Sequence, residues 1–159
     1  MKTEDPGLRT GIASVRPCSV RAILYDVQFA GDLGLKVHNL DTDDLKIALT
    51  NTAPVVGTNA VRADITEIAT GGGYTQDAAG NSINGVYSEA GGVGTMTGTD
   101  VVFTATTGFG PFRYAVLYNT TPISPVDPLV GYWDYGSAVT LLAAETFTVD
   151  FGASVFTVT

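Results

Sequence analysis

At 159 residues the chain has room for one core and one domain, and its 45% hydrophobic and 15% charged residues leave a surface built mainly from Gly, Ser, Thr, Asn and small apolar groups. A net charge of -8 argues against nucleic acid as a partner, because that affinity rests on Lys and Arg displacing counterions. Cys18 is the only cysteine, which excludes an internal disulfide and a four-cysteine metal site, and no apolar run reaches the length of a membrane helix, so no membrane partner is expected.

The first 24 residues carry Lys2, Arg9, Arg16 and Arg21 against Glu4 and Asp5, net +2, which leaves -10 for the rest. They hold two prolines and two glycines without sustained periodicity, and the arginines break any apolar stretch of the kind a secretory signal needs. They are expected to form an extended basic N-terminal arm (1–24) before a single β-rich domain (25–159). In "YDVQFAGDLGLKVHNL", Val27, Ala30, Leu33 and Val37 recur at helical spacing, which predicts a short helix weakened by Gly31 and Gly34.

"DDLKIALT" then alternates as a strand with Leu45, Ile47 and Leu49 inward. "ADITEIATGGGYT" fits a helical turn or an irregular strand before a glycine bend, and its type stays open. Residues 77–99 hold six glycines and read as loop around at most one strand near Gly85 to Ser88. Six strand candidates follow: Asp100 to Ala105, Phe112 to Asn119, Leu129 to Tyr135, Ala138 to Leu142, Thr146 to Phe151 and Ser154 to Thr159. Between two of them "NTTPISPVDP" carries three prolines, which stiffen an exposed loop. This density of short strands predicts an all-β domain, an antiparallel β-sandwich or jelly-roll-like fold with one short N-terminal helix.

Catalytic signals are absent from the text of the sequence. His38 is the only histidine and advertises no triad or zinc partners, so a structural role is expected. "DTDD" at 41–44 lacks the glycine and distal glutamate of a calcium loop and reads as a solvated turn. "GGG" at 71–73 lacks the strand, lysine and helix of a phosphate cradle. Glu67, Glu89, Asp134 and Glu145 offer no carboxylate pair singled out by spacing. A non-enzymatic protein without cofactor or metal is the expectation.

The aromatics are more informative. In "GPFRYAVLYN" and "VGYWDYG", alternation puts Phe112, Tyr114, Val116 and Tyr118 on one face, taken as the core face, and sets Tyr132 and Asp134 opposite Trp133 and Tyr135. Both faces of this ribbon carry bulk, so a second layer, the arm or another subunit should cover the outer one. An interface with Tyr132, Trp133 and Tyr135 is the favoured reading, and sugar stacking by a carbohydrate-binding module is its rival. Arg113 is the only cation after Arg62, among nine acids. It should pair with Asp134 on the next strand, as a structural ion pair and not an anion site.

The segments "VHNLDTDDLKIALTNTAP", "ADITEIATGGGYT", "DVVFTATTGFGPFRYAVLYN" and "PLVGYWDYGSAVTLLAAETFTVDF" resemble small virion structural proteins of tailed bacteriophages, over roughly Phe29 to the end. The resemblance implies a β-rich protein of the particle that decorates or cements the outside of the head. Its partners would be the major capsid protein and other copies of itself, with a trimer favoured. A tail or fibre-attachment protein would share these features. The chain departs from the pattern in its first 24 residues, where Arg9, Arg16 and Arg21 would belong to an attachment device, and in the glycine-rich stretch at 77–99.

Overall fold

The computed structural model describes residues 12–15, 23–24 and 26–159, with side chains from Phe29 onward. The fold is all-β and sandwich-like, with one short helix. Along the chain run β1 (Ile12–Val15), β2 (Ile23–Leu24), α1 (Asp26–Gly34), β3 (Leu45–Thr50), β4 (Val86–Ala90), β5 (Val93–Thr97), β6 (Val101–Thr104), β7 (Gly108–Asn119), β8 (Leu129–Leu142), β9 (Thr146–Val149) and β10 (Phe156–Val158). They form three sheets, ordered β2-β8-β7-β3, β1-β9-β6 and β10-β5-β4. All pairings are antiparallel except β1 with β9. Within the region expected to be an extended arm, the described residues form two short strands, one at an edge of each of two sheets.

One core joins the three sheets. Leu45, Ile47 and Leu49 of β3 meet Phe112, Ala115 and Leu117 of β7, Trp133 and Leu141 of β8, Phe103 and Phe147 of β6 and β9, and Met96 and Phe156 of β5 and β10. The expected inward face of β3 is the observed one. For α1 the face is turned: Phe29 is buried on Phe156 with ring centroids 5.7 Å apart, whereas Ala30 is exposed. Asp32 joins the buried side, and a polar residue there is invisible to a count of apolar spacing.

The long hairpin β7-β8 departs most from simple alternation. Phe112 pairs with Val139, but Tyr114 pairs with Asp134, so β8 carries extra residues opposite Arg113. Such a bulge shifts which side chains share a face. Phe112 therefore lies in the main core together with Ala115 and Leu117, while Val116 and Tyr118 belong to a second cluster with Ala48 and Leu129 on the other face. The expectation that Phe112, Tyr114, Val116 and Tyr118 share the core face is thereby corrected. The two strand candidates on either side of Gly136 are one strand, bent at this bulge.

The cover on the outer face comes from the chain itself. Residues 60–68 lie over it, tied down by backbone bonds from Leu129 N–H to Ala60 O, Arg62 N–H to Asp127 O and Ile68 N–H to Leu49 O. Ile65 and Tyr132 pack against the second cluster. The stretch left open between helix and strand contains a 3-10 turn at Arg62–Asp64 followed by isolated bridges.

Residues 77–99 hold a complete hairpin, not one weak strand. β4 and β5 turn through Gly91 and Gly92, both at positive φ (61° and 83°), as a two-residue connection requires. Its apolar signal is faint because Gly94 takes the inward place under the Tyr87 ring: a Cβ there would lie 1.9 Å from the Tyr87 hydroxyl. An aromatic covering a glycine supplies the bulk that the strand itself lacks.

Candidate functional site

Two polar clusters flank the end of the β3-β7 pair, and both are built from residues far apart in sequence. The first lies under residues 60–68. Tyr74 Oη accepts from Leu49 N–H at 3.1 Å and donates to Glu67 Oε1 at 2.5 Å. Glu67 Oε2 accepts from Arg62 Nε at 2.8 Å, and the guanidinium lies 5.0 Å from the centre of the Tyr118 ring. Tyr118 donates to Asp77 Oδ1 at 3.2 Å, and Lys46 Nζ donates to the same oxygen at 2.9 Å. Burial pushes both phenols above the ordinary tyrosine range, and the Lys46 hydrogen bond holds the Asp77 carboxyl below its usual value.

An open cleft of about 500 Å³ borders this cluster, lined by Arg62, Ile65, Thr66, Glu67, Gln76 and Asp127. Its charged groups already answer one another. Glu67 takes both Arg62 and Tyr74, and Asp127 Oδ2 lies 3.7 Å from Arg62 Nη1. A network satisfied in this way fixes loop geometry, since its members gain more from each other than from an incoming ion. Among the described residues no three His, Cys, Asp or Glu side chains gather at metal-ligating distance.

The second cluster joins α1 to the end of β7. His38 is buried, its Nδ1 3.0 Å from Asn119 Nδ2, with the ring 5.4 Å from Phe29. Asn119 Nδ2 also donates to Asp43 Oδ2 at 2.6 Å, and Asn119 is fully buried. Asp32 Oδ2 faces His38 Nε2 at 3.8 Å. Burial lowers the affinity of the imidazole for a second proton, against the opposing pull of Asp32 and Asp43.

The remaining candidates are dispersed. Arg113 donates through Nε and Nη2 to the two oxygens of Asp134, each at 2.7 Å, in a partly exposed pair on the sheet surface. Asp134 Oδ1 also accepts from Gly136 N–H at 2.7 Å, so this carboxylate pins the bulge. Trp133 is buried in the core, 5.5 Å from Phe151, and is therefore no surface group. Tyr135 is partly exposed beside Phe147, and Tyr132 packs on the second cluster. Glu89 and Glu145 each accept a backbone N–H in a turn. Arg9, Arg16 and Arg21 lie outside the described residues.

Sequence reading did not find Tyr74, Asn119, Asp32 or Lys46. Their partners stand up to 81 positions away, and no local period marks such pairs. A lone cation on an otherwise apolar strand is the one usable signal, and it applies to Lys46 as it does to Arg113. Compared with protein-family models, curated proteins and solved structures, the chain has no match in any of the three.

Proposed function

We propose that the protein is a non-enzymatic structural component of a tailed-bacteriophage virion, a decoration or cement protein on the outer surface of the head. The observation that carries this reading is topological. A body whose main sheet is packed on one face and covered by residues 60–68 over part of the other receives β1 at the edge of one small sheet and β2 at the edge of the large one. A segment of basic composition whose two described strands lie at sheet edges of an acidic body suits attachment to a neighbouring surface. The residues that resemble phage virion proteins build the frame, namely β3, β6, β7, β8 and β9.

Exposed apolar groups add support. Ile123, 92% exposed, and Val126 project from the proline-rich loop between β7 and β8. Apolar tips on a stiffened loop suit contact with a large protein partner, and the major capsid protein or another copy of this chain, in a trimer, would take them.

A tail or fibre-attachment protein would use the same features at another place in the particle. The carbohydrate reading is weaker, because Trp133 is enclosed in the core and cannot offer a face to a sugar. The test is direct: particles are purified, their proteins identified by mass spectrometry, and the chain located by cryo-electron microscopy. The reading expects it on the outer head surface; absence from particles, or density confined to the tail, ends the decoration proposal.

A further inference from the structure

The least explained arrangement in the molecule is a pair of buried polar atoms between α1 and the end of β7. His38 Nε2 and Asp32 Oδ2 are both buried, and neither makes a hydrogen bond with the described residues. They face each other at 3.8 Å, beyond hydrogen-bond range.

The opposite ring nitrogen defines the protonation state. Asn119 cannot be turned round without loss, since its Nδ2 donates to Asp43 Oδ2 at 2.6 Å and its Oδ1 accepts from Thr121 N–H at 3.0 Å. Asp43 is in turn held by Asn39 N–H at 2.7 Å. The amide NH2 is thus what faces His38 Nδ1, so Nδ1 carries the lone pair and the single ring proton sits on Nε2.

A second proton would put two N–H groups face to face at the Asn119 contact. The imidazolium would be drawn instead to Asp32, on the other edge of the ring and on another element. The groups facing the ring are Asp32 and Phe29 from α1, Asp43 from the turn before β3, and Asn119 from β7. The two ring nitrogens therefore serve different elements: Nδ1 keeps the Asn119 contact only while the ring is neutral, and Nε2 faces Asp32, which draws the ring more strongly once it is charged.

We propose that His38 is a proton-operated clip: neutral, it ties α1 and the following turn to the end of β7, and protonated, it turns to Asp32 and lets α1 lift from the body. α1 and the turn after it lie between β2 and β3 along the chain, so the clip acts on the covalent link from the N-terminal strands to β3. The direction follows from burial, which lowers the pKa of His38 below its ordinary 6.5. Such a group contributes stability that is present above 6.5 and lost as pH falls through the folded value. The clip is closed at neutral pH and opens in acid. This inference does not depend on the proposed virion role.

Because His38 is the only histidine, its ring resonance in the intact chain can be followed by NMR without competition. Amide hydrogen exchange of residues 26–38, corrected for intrinsic rates, is measured in parallel between about pH 7.5 and about pH 5. The expected result is titration below 6.5, with protection of 26–38 falling by up to about tenfold per pH unit between 6.5 and the titration point and levelling beneath it, while β3 and β7 stay protected. Asn119→Asp replaces the opposing NH2 by an acceptor and should move the titration point upward. Titration at or above 6.5 in the unaltered chain, unchanged protection across this range, or an Asn119→Asp protein with an unmoved titration point would each overturn the clip. Should that variant not fold, the unaltered chain's titration and exchange decide.

Discussion

Arg113 and Asp134 show how a correct pairing can carry a different weight from the one expected of it. An isolated guanidinium in an apolar strand suggests a buried charge whose loss would be severe. The pair is instead partly exposed, with side-chain exposures of 38% and 31%, on the surface of a bulge. Exposed pairs contribute little because water competes for both partners. The carboxylate matters more than the cation, since it also holds Gly136 N–H. Arg113→Ala should therefore leave the urea midpoint almost unchanged, whereas Asp134→Ala should lower it by loosening the bulge. Equal losses in the two variants would contradict this division. Asp134 responds to acid in the same sense: the Arg113 hydrogen bond holds its pKa below 3.8, so its contribution is present above that value and lost as pH falls through the lower one.

At the level of elements, the strands were legible where large apolar residues alternate with small or polar ones. β3 is the clearest case, with Leu45, Ile47 and Leu49 inward as expected. The β7-β8 hairpin was read as three strands, because a bulge changes phase without leaving a mark in composition. The β4-β5 hairpin was missed since Gly94 stands where a large side chain would have signalled the strand. The polar clusters were less legible still, being made by chance of topology from Lys46, Tyr74, Asp77, Tyr118 and Asn119.

The triple glycine was read as a flexible bend, and here the structure is more specific. Gly72 O accepts from Thr106 N–H at 2.8 Å and from Thr107 and Gly108 N–H at 3.3 Å each, so the bend is an anchor for the β6-β7 connection. Gly72 has φ 63°, and a Cβ on it would lie 1.8 Å from Gly108 O. Gly72→Ala would have to separate two backbones, and a loss of more than about 2 kcal/mol is expected, at the upper end of single-site effects. Unfolding in urea measures it directly; Gly57→Ala, in open space at a positive φ of 86°, gives the comparison for backbone strain alone.

For the molecule as a whole, the arrangement of charge sets a two-stage response to acid. His38 lies below 6.5 and is the only histidine, so stability should be level above that pH and fall as its folded value is crossed. Asp64, Asp77 and Asp134 lie below 3.8, through backbone N–H donors, Lys46 and Arg113 respectively. Their contribution is present above 3.8 and disappears as pH drops through their lower folded values. Urea midpoints taken from about pH 8 to about pH 2 should show the two declines separated by a shoulder. Replacing His38 by Gln should erase the first and keep the second. A single decline that is unaffected by this substitution would contradict the assignment.

The enclosed indole of Trp133 also makes the molecule its own optical gauge. It is the only tryptophan, it lies between β7 and Phe151, and it is shielded from water. Its emission should be blue-shifted while the sheets remain together and move to the red when they part. Ligands that touch only the outer surface would leave that colour alone. Intrinsic fluorescence thus follows the separation of the layers, and an attachment event at the periphery needs a different reporter.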